Sequence, residues 1–170
     1  MLGNQKLDVL EQLPTLRRYA LSLTRNATDA EDLVQEALLR AYERSATFRA
    51  DGNLRGWLLS IVHNLFVDRR RSKTSASGHE QEFANCLANN LPASQYDTLR
   101  LSQVRRAFDL LPVEQREALH LVTIEGLSYE EAARVLEVPA GTVMSRLSRG
   151  REALRRWESG PPLKLVKESE

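Results

Sequence analysis

The side chains with the most chemistry to offer in this 170-residue sequence are its arginines, and they are grouped. Arg146, Arg149, Arg151, Arg155 and Arg156 fall within eleven residues, and Arg69, Arg70 and Arg71 stand in a row just before Lys73. A guanidinium presents a planar fork of donors that matches phosphate oxygens and the guanine edge, so both clusters suit nucleic acid. Basic runs also arise as plain solvated helix faces, and charge alone does not separate the two readings. Catalysis is poorly served. There is no paired nucleophile and base, no glycine-rich phosphate cradle of the P-loop kind and no cluster of metal ligands. His63 has no second His or carboxylate at ligand spacing around it. Cys86 is the only cysteine, which excludes an internal disulfide and argues against a cysteine-built zinc site. The expectation is a binding protein that is not an enzyme and uses no cofactor or metal.

The elements that must hold these arginines follow from hydrophobic periodicity. Apolar residues recur at helical spacing almost throughout, and no short run alternates as a strand would, so the fold class expected is all-α. A helix is expected over about Leu7 to Arg25. A second opens near Thr28 or Asp29, where Thr28 can cap it and Asp29, Glu31 and Asp32 favour its positive end. At 100° per residue Ala30, Leu33, Val34, Ala37, Leu38 and Ala41 form its inner stripe. Asp32, Gln35, Glu36 and Glu43 lie opposite, around Leu39. A charged rim around an apolar anchor suits a protein partner, although an isolated exposed leucine is also ordinary.

A loop from Phe48 to Asn53, marked by its Asp51-Gly52-Asn53, leads into a long helix from about Leu54 to Arg71. Leu54, Leu58, Ile61, Val62, Leu65 and Phe66 share its inner face. Ser60, His63, Asn64, Val67 and Arg71 point outward, with Arg69 and Arg70 at the end. Hydrogen-bonding side chains leading into three guanidiniums suit base contacts followed by phosphate contacts.

Further along, a helix from about Leu99 to Leu111 is stopped by Pro112, and another runs to about Ile124, where Gly126 breaks the chain. Ser128 and Glu131 form a capping box for a short helix ending near Val138. Pro139 then opens the last helix, with Val143, Leu147, Gly150, Leu154 and Trp157 on its inner face. Thr142, Ser145, Arg149, Glu152 and Arg156 lie opposite, flanked by Arg146. Short capped helix, tight turn and polar second helix is the arrangement that enters a DNA major groove, with an ordinary helical hairpin as the alternative.

Between these halves, Ser72 to Asp97 is rich in Ser, Ala and Asn, a linker composition. The expected organisation is therefore two small helical domains, 1–73 and 99–158, joined by a flexible linker, 74–98, and followed by a tail, 159–170. Net charge is +1, so the whole chain has no strong pull on a polyanion. The distribution differs, with 12 basic and 9 acidic side chains in 1–73 against no basic and 3 acidic in 74–98. The longest nearly apolar stretch, Trp57 to Val67, is well short of the ~20 residues that cross a bilayer. The N-terminus lacks the basic-then-apolar pattern of a signal peptide, so the cytoplasm is the expected location.

Five runs in order resemble one family, the bacterial RNA polymerase sigma factors of the extracytoplasmic-function (ECF) group. DAEDLVQEALLRAY, Asp29 to Tyr42, is similar to the family's core-polymerase-binding helix in region 2. RGWLLSIVHNLFVDRRR, Arg55 to Arg71, resembles its −10 reading and melting helix. LPVEQREA from Leu111, SYEEAA from Ser128 and VPAGTVMSRLSRGR from Val138 resemble region 4, which reads the −35 element. The resemblance implies a factor that joins core RNA polymerase, recognises promoter DNA and is controlled by an anti-sigma factor. It implies polymerase contacts at Asp32, Gln35, Glu36, Leu39 and Glu43. It implies −10 contacts at Phe48, Asn53, Ser60, His63, Asn64, Arg69, Arg70 and Arg71, with a flipped base in the Phe48–Asn53 loop. It implies −35 contacts at Thr142, Ser145, Arg146, Arg149 and Arg156. Many members carry Lys where Met144 stands, so one contact there is lost or apolar. ALSLTRNATDA, Ala20 to Ala30, resembles the alphaproteobacterial general stress-response branch. The competing reading is a helix-turn-helix regulator with an N-terminal sensing domain.

Overall fold

A computed structural model describes residues 3–48, 52–76 and 95–158. Within them lie seven α-helices and no strand: α1 (Gly3–Thr24), α2 (Ala27–Glu43), α3 (Leu54–Ala76), α4 (Gln95–Asp109), α5 (Val113–Leu119), α6 (Tyr129–Leu136) and α7 (Ala140–Glu158). The all-α class is as expected. Residues 49–51, the middle of the expected Phe48–Asn53 loop, and residues 77–94 and 159–170, which hold most of the expected linker, Cys86 and the tail, lie outside the described residues. Both flanking helices run a little into the expected linker, to Ala76 and from Gln95.

The first unit is three helices. The chain reverses between α1 and α2 at Arg25, which is left-handed at φ 56°. Asn26 therefore starts α2, its side chain accepting the Asp29 amide at 3.0 Å. Asn26, not Thr28, is the cap, because the reversal at Arg25 leaves Asn26 extended three residues before that amide. Leu33, Val34 and Ala37 of α2 meet Leu16, Tyr19 and Ala20 of α1 and Leu58, Val62 and Leu65 of α3, all buried.

In the second unit Ser128 and Glu131 make the full capping box, each side chain bonding the other's backbone amide. The chain enters α7 through Pro139, whose carbonyl accepts the Thr142 amide at 2.9 Å. Val143 and Leu147 are buried, and Gly150 is needed where α7 crosses α5, since a Cβ there would meet Leu119 Cδ1 at 2.6 Å. Trp157 departs from its expected inner position and is 45% exposed, one turn beyond the end of the packed stripe.

Between α5 and α6 the helix widens into a π turn, His120–Ile124, with the Glu125 amide bonding the His120 carbonyl at 3.0 Å. Gly126, at φ 70°, closes it. The widened turn matters because it brings the His120 and Glu125 side chains together at the seam between the two units. There α3 lies along α6, and α1 lies against α5 and the π turn, so one buried cluster runs through both units.

Candidate nucleic-acid interface

The last helix presents its polar side outward. Arg149 and Arg156 are exposed and Thr142 and Ser145 half-exposed, while Met144 beside them is 53% exposed. The Ser145 hydroxyl donates to the Thr142 carbonyl at 2.9 Å, which leaves its lone pairs for a donor from outside. Arg156 pairs with Glu152 one turn back on the same helix, a surface contact of small worth. Arg146 differs from its neighbours. It leans into the cleft between the two units, together with Arg40, Arg44, Arg70 and Arg71.

On α2, Leu39 is 60% exposed, with Asp32, Gln35 and Glu43 exposed around it. Glu36 is half-buried and committed elsewhere. It accepts from Arg69 Nε of α3 at 3.2 Å and faces Arg40 at 3.8 Å. One expected polymerase contact and one expected −10 contact are thus brought together as a pair that ties α2 to α3.

The outward side of α3 is where sequence and structure part. Asn53 caps the helix, its Oδ1 accepting the Gly56 amide at 3.0 Å, while its Nδ2 donates to Glu131 of α6 at 2.8 Å. Asn64 Nδ2 donates to Glu137 Oε1 at 2.9 Å, and Arg70 stands 3.6 Å from Glu114. Phe48 is half-buried, with its ring 5.0 Å from that of Trp57, and the Ser60 hydroxyl turns back to the Trp57 carbonyl. His63, expected outward, is only 7% exposed. It lies under the second unit, its Nδ1 3.4 Å from the Tyr19 hydroxyl and 3.6 Å from Glu117. Leu59, one turn before it and absent from the expected inner stripe, is fully buried. The period of the helix was read correctly. What it could not include is a second partner on the other side.

Electrostatics of the seam follow from burial. Burial lowers His63 to about 4 and raises Glu117 to about 7, so at neutral pH this contact joins a neutral imidazole and a half-protonated carboxyl rather than two ions. Tyr19, enclosed beside them, is raised well above its ordinary value for the same reason. Burial also lowers His120 to about 4, against the pull of Glu125. Its Nε2 lies 3.1 Å from Glu125 Oε1, and its buried Nδ1 has no hydrogen-bond partner, as fits a neutral ring donating through Nε2. Burial would raise Glu125 too, but hydrogen bonds from Arg18 and Arg55 hold its carboxyl below the usual range. Arg18 grips it with two prongs, Nε to Oε1 at 3.2 Å and Nη2 to Oε2 at 3.1 Å. Arg55 at the start of α3 adds a third bond. None of Arg18, Arg55, Glu117 or Glu125 stood out in the sequence, since each looks like an ordinary helix-surface charge.

Two compact helical units, the second a capped helix-turn-helix with a basic outer face, define a two-domain DNA-binding protein. Comparison with known families gives the class its name. Residues 9–76 match Sigma-70 region 2 and residues 101–154 match Sigma-70, region 4. The ECF RNA polymerase sigma factor EcfG of Rhodopseudomonas palustris (strain TIE-1) is 40% identical over 148 residues, which are 86% of this chain and 81% of that protein. SigE of Mycolicibacterium smegmatis is 42% identical over 142 residues, 81% of this chain and 55% of that one. Among solved structures, the sigma factor RpoE in complex with the anti-sigma factor NepR from Bartonella quintana aligns with a TM-score of 0.79 at 32% identity. That alignment covers 95% of this chain and 100% of that one. CnrH, in complex with the cytosolic domain of CnrY, aligns at 0.68 and 26% identity, over 94% and 92% of the two chains. The chain belongs to the ECF RNA polymerase sigma factors and is EcfG-like. It binds core RNA polymerase and directs initiation at promoters. A first domain matching region 2 replaces the sensing domain of the competing reading.

Proposed function

We propose that the work is divided between the units as the motifs suggest. Residues 1–73 bind core polymerase through Leu39 with Asp32, Gln35, Glu36 and Glu43, and read the −10 element through the Phe48–Asn53 loop and the outer side of α3. Residues 99–158 read the −35 element through Thr142, Ser145, Arg146, Arg149 and Arg156, with 74–98 as linker and 159–170 as tail. The observation that carries this reading is the exposed Arg149 and Arg156 face of α7, set behind a complete capping box in a helix-turn-helix. The chain itself is not an enzyme; all catalysis resides in the polymerase. No described helix is long and apolar enough to cross a membrane, and the factor acts in the cytoplasm. By analogy with RpoE and its partner NepR, an anti-sigma factor holds it inactive until a stress signal arrives.

The test is transcription with purified core enzyme. The chain plus core polymerase gives defined transcripts from a promoter library, as a regulator or adaptor alone does not. Because Glu36 is committed to Arg69, Leu39→Asp alone is the cleaner probe of the polymerase surface. It is expected to abolish association with an unchanged helical circular dichroism spectrum. Normal association would remove α2 from that interface.

A further inference from the structure

The outer side of α7 holds one residue out of keeping with its neighbours. Met144 is 53% exposed, in the first two turns of a helix whose outward side chains nearby, Thr142, Ser145 and Ser148, are polar. A lone exposed apolar residue is ordinary on a protein surface. The place is not ordinary, because the first turns of the second helix of a helix-turn-helix are the part that meets base edges. Met144 stands about 140° round the helix axis from Arg149, with Gly141 and Ser145 between them.

The two glycines of α7 sharpen the point. Gly150 has an internal reason, since a Cβ there would run into Leu119. Gly141 has none. A Cβ at Gly141 would meet nothing within 4 Å, and its backbone lies outside the left-handed region that favours glycine. Alanine is the better helix former at such a position, so the fold by itself gives no account of the glycine. Gly141 lies one turn before Met144 on the same side of the helix, and the missing side chain leaves room for a surface that approaches from outside.

We infer that Met144 is a specificity-determining residue: its side chain packs on the C5-methyl group of a thymine in the −35 element, and Gly141 clears the space that lets α7 come close enough for that contact. The inference rests on the assignment of α7 to the −35 element made above. In the major groove the base pairs display donors, acceptors and a single apolar group, the thymine methyl. A thioether chain gains from covering that group and, being unbranched, adjusts to it. Set against a G·C pair, the same chain covers polar edges without offering them a partner, which costs free energy. One residue thus both favours A·T and penalises G·C at its position. Arg149, on the other side of Gly141 and Ser145, supplies the complementary readout, since its guanidinium suits guanine.

The test uses the chain bound to core polymerase. A promoter selected from a −35 library is prepared as a duplex in which each thymine of the element, on either strand, is replaced in turn by deoxyuridine. The exchange deletes one methyl group and keeps both the base pairing and the O4 acceptor. At one position, holoenzyme affinity is expected to fall about fourfold, as for one buried methyl group. With Met144→Ala the same exchange is expected to have no effect, which ties the methyl to this side chain. Met144→Lys is expected to move the preferred base pair at that position from A·T to G·C, because an ammonium donates to guanine. Gly141→Ala is expected to weaken promoter binding while the chain melts no earlier than wild type.

A selected −35 element without an A·T pair leaves Met144 nothing to read and overturns the inference. So does a loss on uracil exchange that persists in Met144→Ala, since the methyl then belongs to another side chain. Gly141→Ala binding as tightly as wild type removes the close approach on which the contact depends. Should uracil have no effect anywhere in the element while Arg149→Ala still relaxes −35 selectivity, the assignment of α7 stands and the methyl contact falls alone. Should neither Arg149→Ala nor any −35 base change alter binding, both fall.

Discussion

Two helices of this protein, α3 and α7, carry the basic and hydrogen-bonding residues, yet they meet their surroundings in opposite ways. The polar side of α7 faces solvent from the end of its capped turn, with Arg149 and Arg156 exposed. The polar side of α3 is roofed by the other domain, with His63 buried and Asn53, Asn64 and Arg70 engaged by glutamates. A helix face therefore does not reveal its use by composition alone. On α7 the outer side chains are available to a partner and contribute little to stability, whereas on α3 the same kinds of side chain hold the two domains together.

The sharpest way to break this contrast is to truncate an apolar residue on each helix. Leu59→Ala removes a fully buried side chain beneath the seam and is expected to lower the unfolding free energy by about 2–5 kcal/mol. Met144→Ala on α7 should stay within about 0.5 kcal/mol of wild type. Urea denaturation followed by circular dichroism measures both, and comparable losses would mean that the outer side of α7 is covered in solution.

Next in size is acid sensitivity, which belongs to the α3 side alone. His63 is faced by Tyr19, Glu117, Glu137 and Arg146, and His120 by Tyr19, Glu125, Arg18 and Arg55. Both titrate near 4 when folded against 6.5 when free, so the unfolded chain binds their protons first. Their contribution is intact above 6.5 and is lost as pH falls toward 4. Glu117, at about 7 when folded against 4.5, works the other way and gains as pH falls through the same range. Two losses against one gain leave a net loss of about 1.4 kcal/mol per pH unit between 6.5 and 4.5. Glu117→Gln removes the gain and should roughly double that slope. A flat profile in wild type would show that both histidines are solvated and the seam open.

The smallest effect sharpens the α7 side. Arg149→Ala is expected to leave the melting curve unchanged and to reduce discrimination at one −35 position by about 1–3 kcal/mol, as for a bidentate base contact. Arg70→Ala should instead weaken all promoters alike. Transcription from a −35 position library distinguishes these, and a uniform loss with Arg149→Ala would reassign it to phosphate.

Much of this was legible in the residues. The capping box of Ser128 and Glu131, the break at Gly126, the exposed Leu39 and the inner stripes of α2 and α7 all depend on partners three to five residues away, where helix geometry fixes the distance. The errors lie where a backbone reversal or a distant group intervened. Thr28 lost the cap to Asn26 because the chain reversed at Arg25, and His63 went inside because another domain covered it. Leu59 looked like a stray apolar residue and is part of the core.

The sequence by itself determined the helices and the capping box of Ser128 and Glu131, because helix geometry encodes them in spacings of a few residues, and the order of the family motifs set the class of protein. Only the tertiary structure decided what the charged faces do. Arg18 and Glu125 are 107 residues apart, Asn53 and Glu131 78, and Asn64 and Glu137 73. No periodicity links such positions, and an exposed helix charge and a seam charge have the same local signature. Which one a residue becomes is fixed when the two domains dock, since only then do burial and a facing carboxyl set its pKa and its partner.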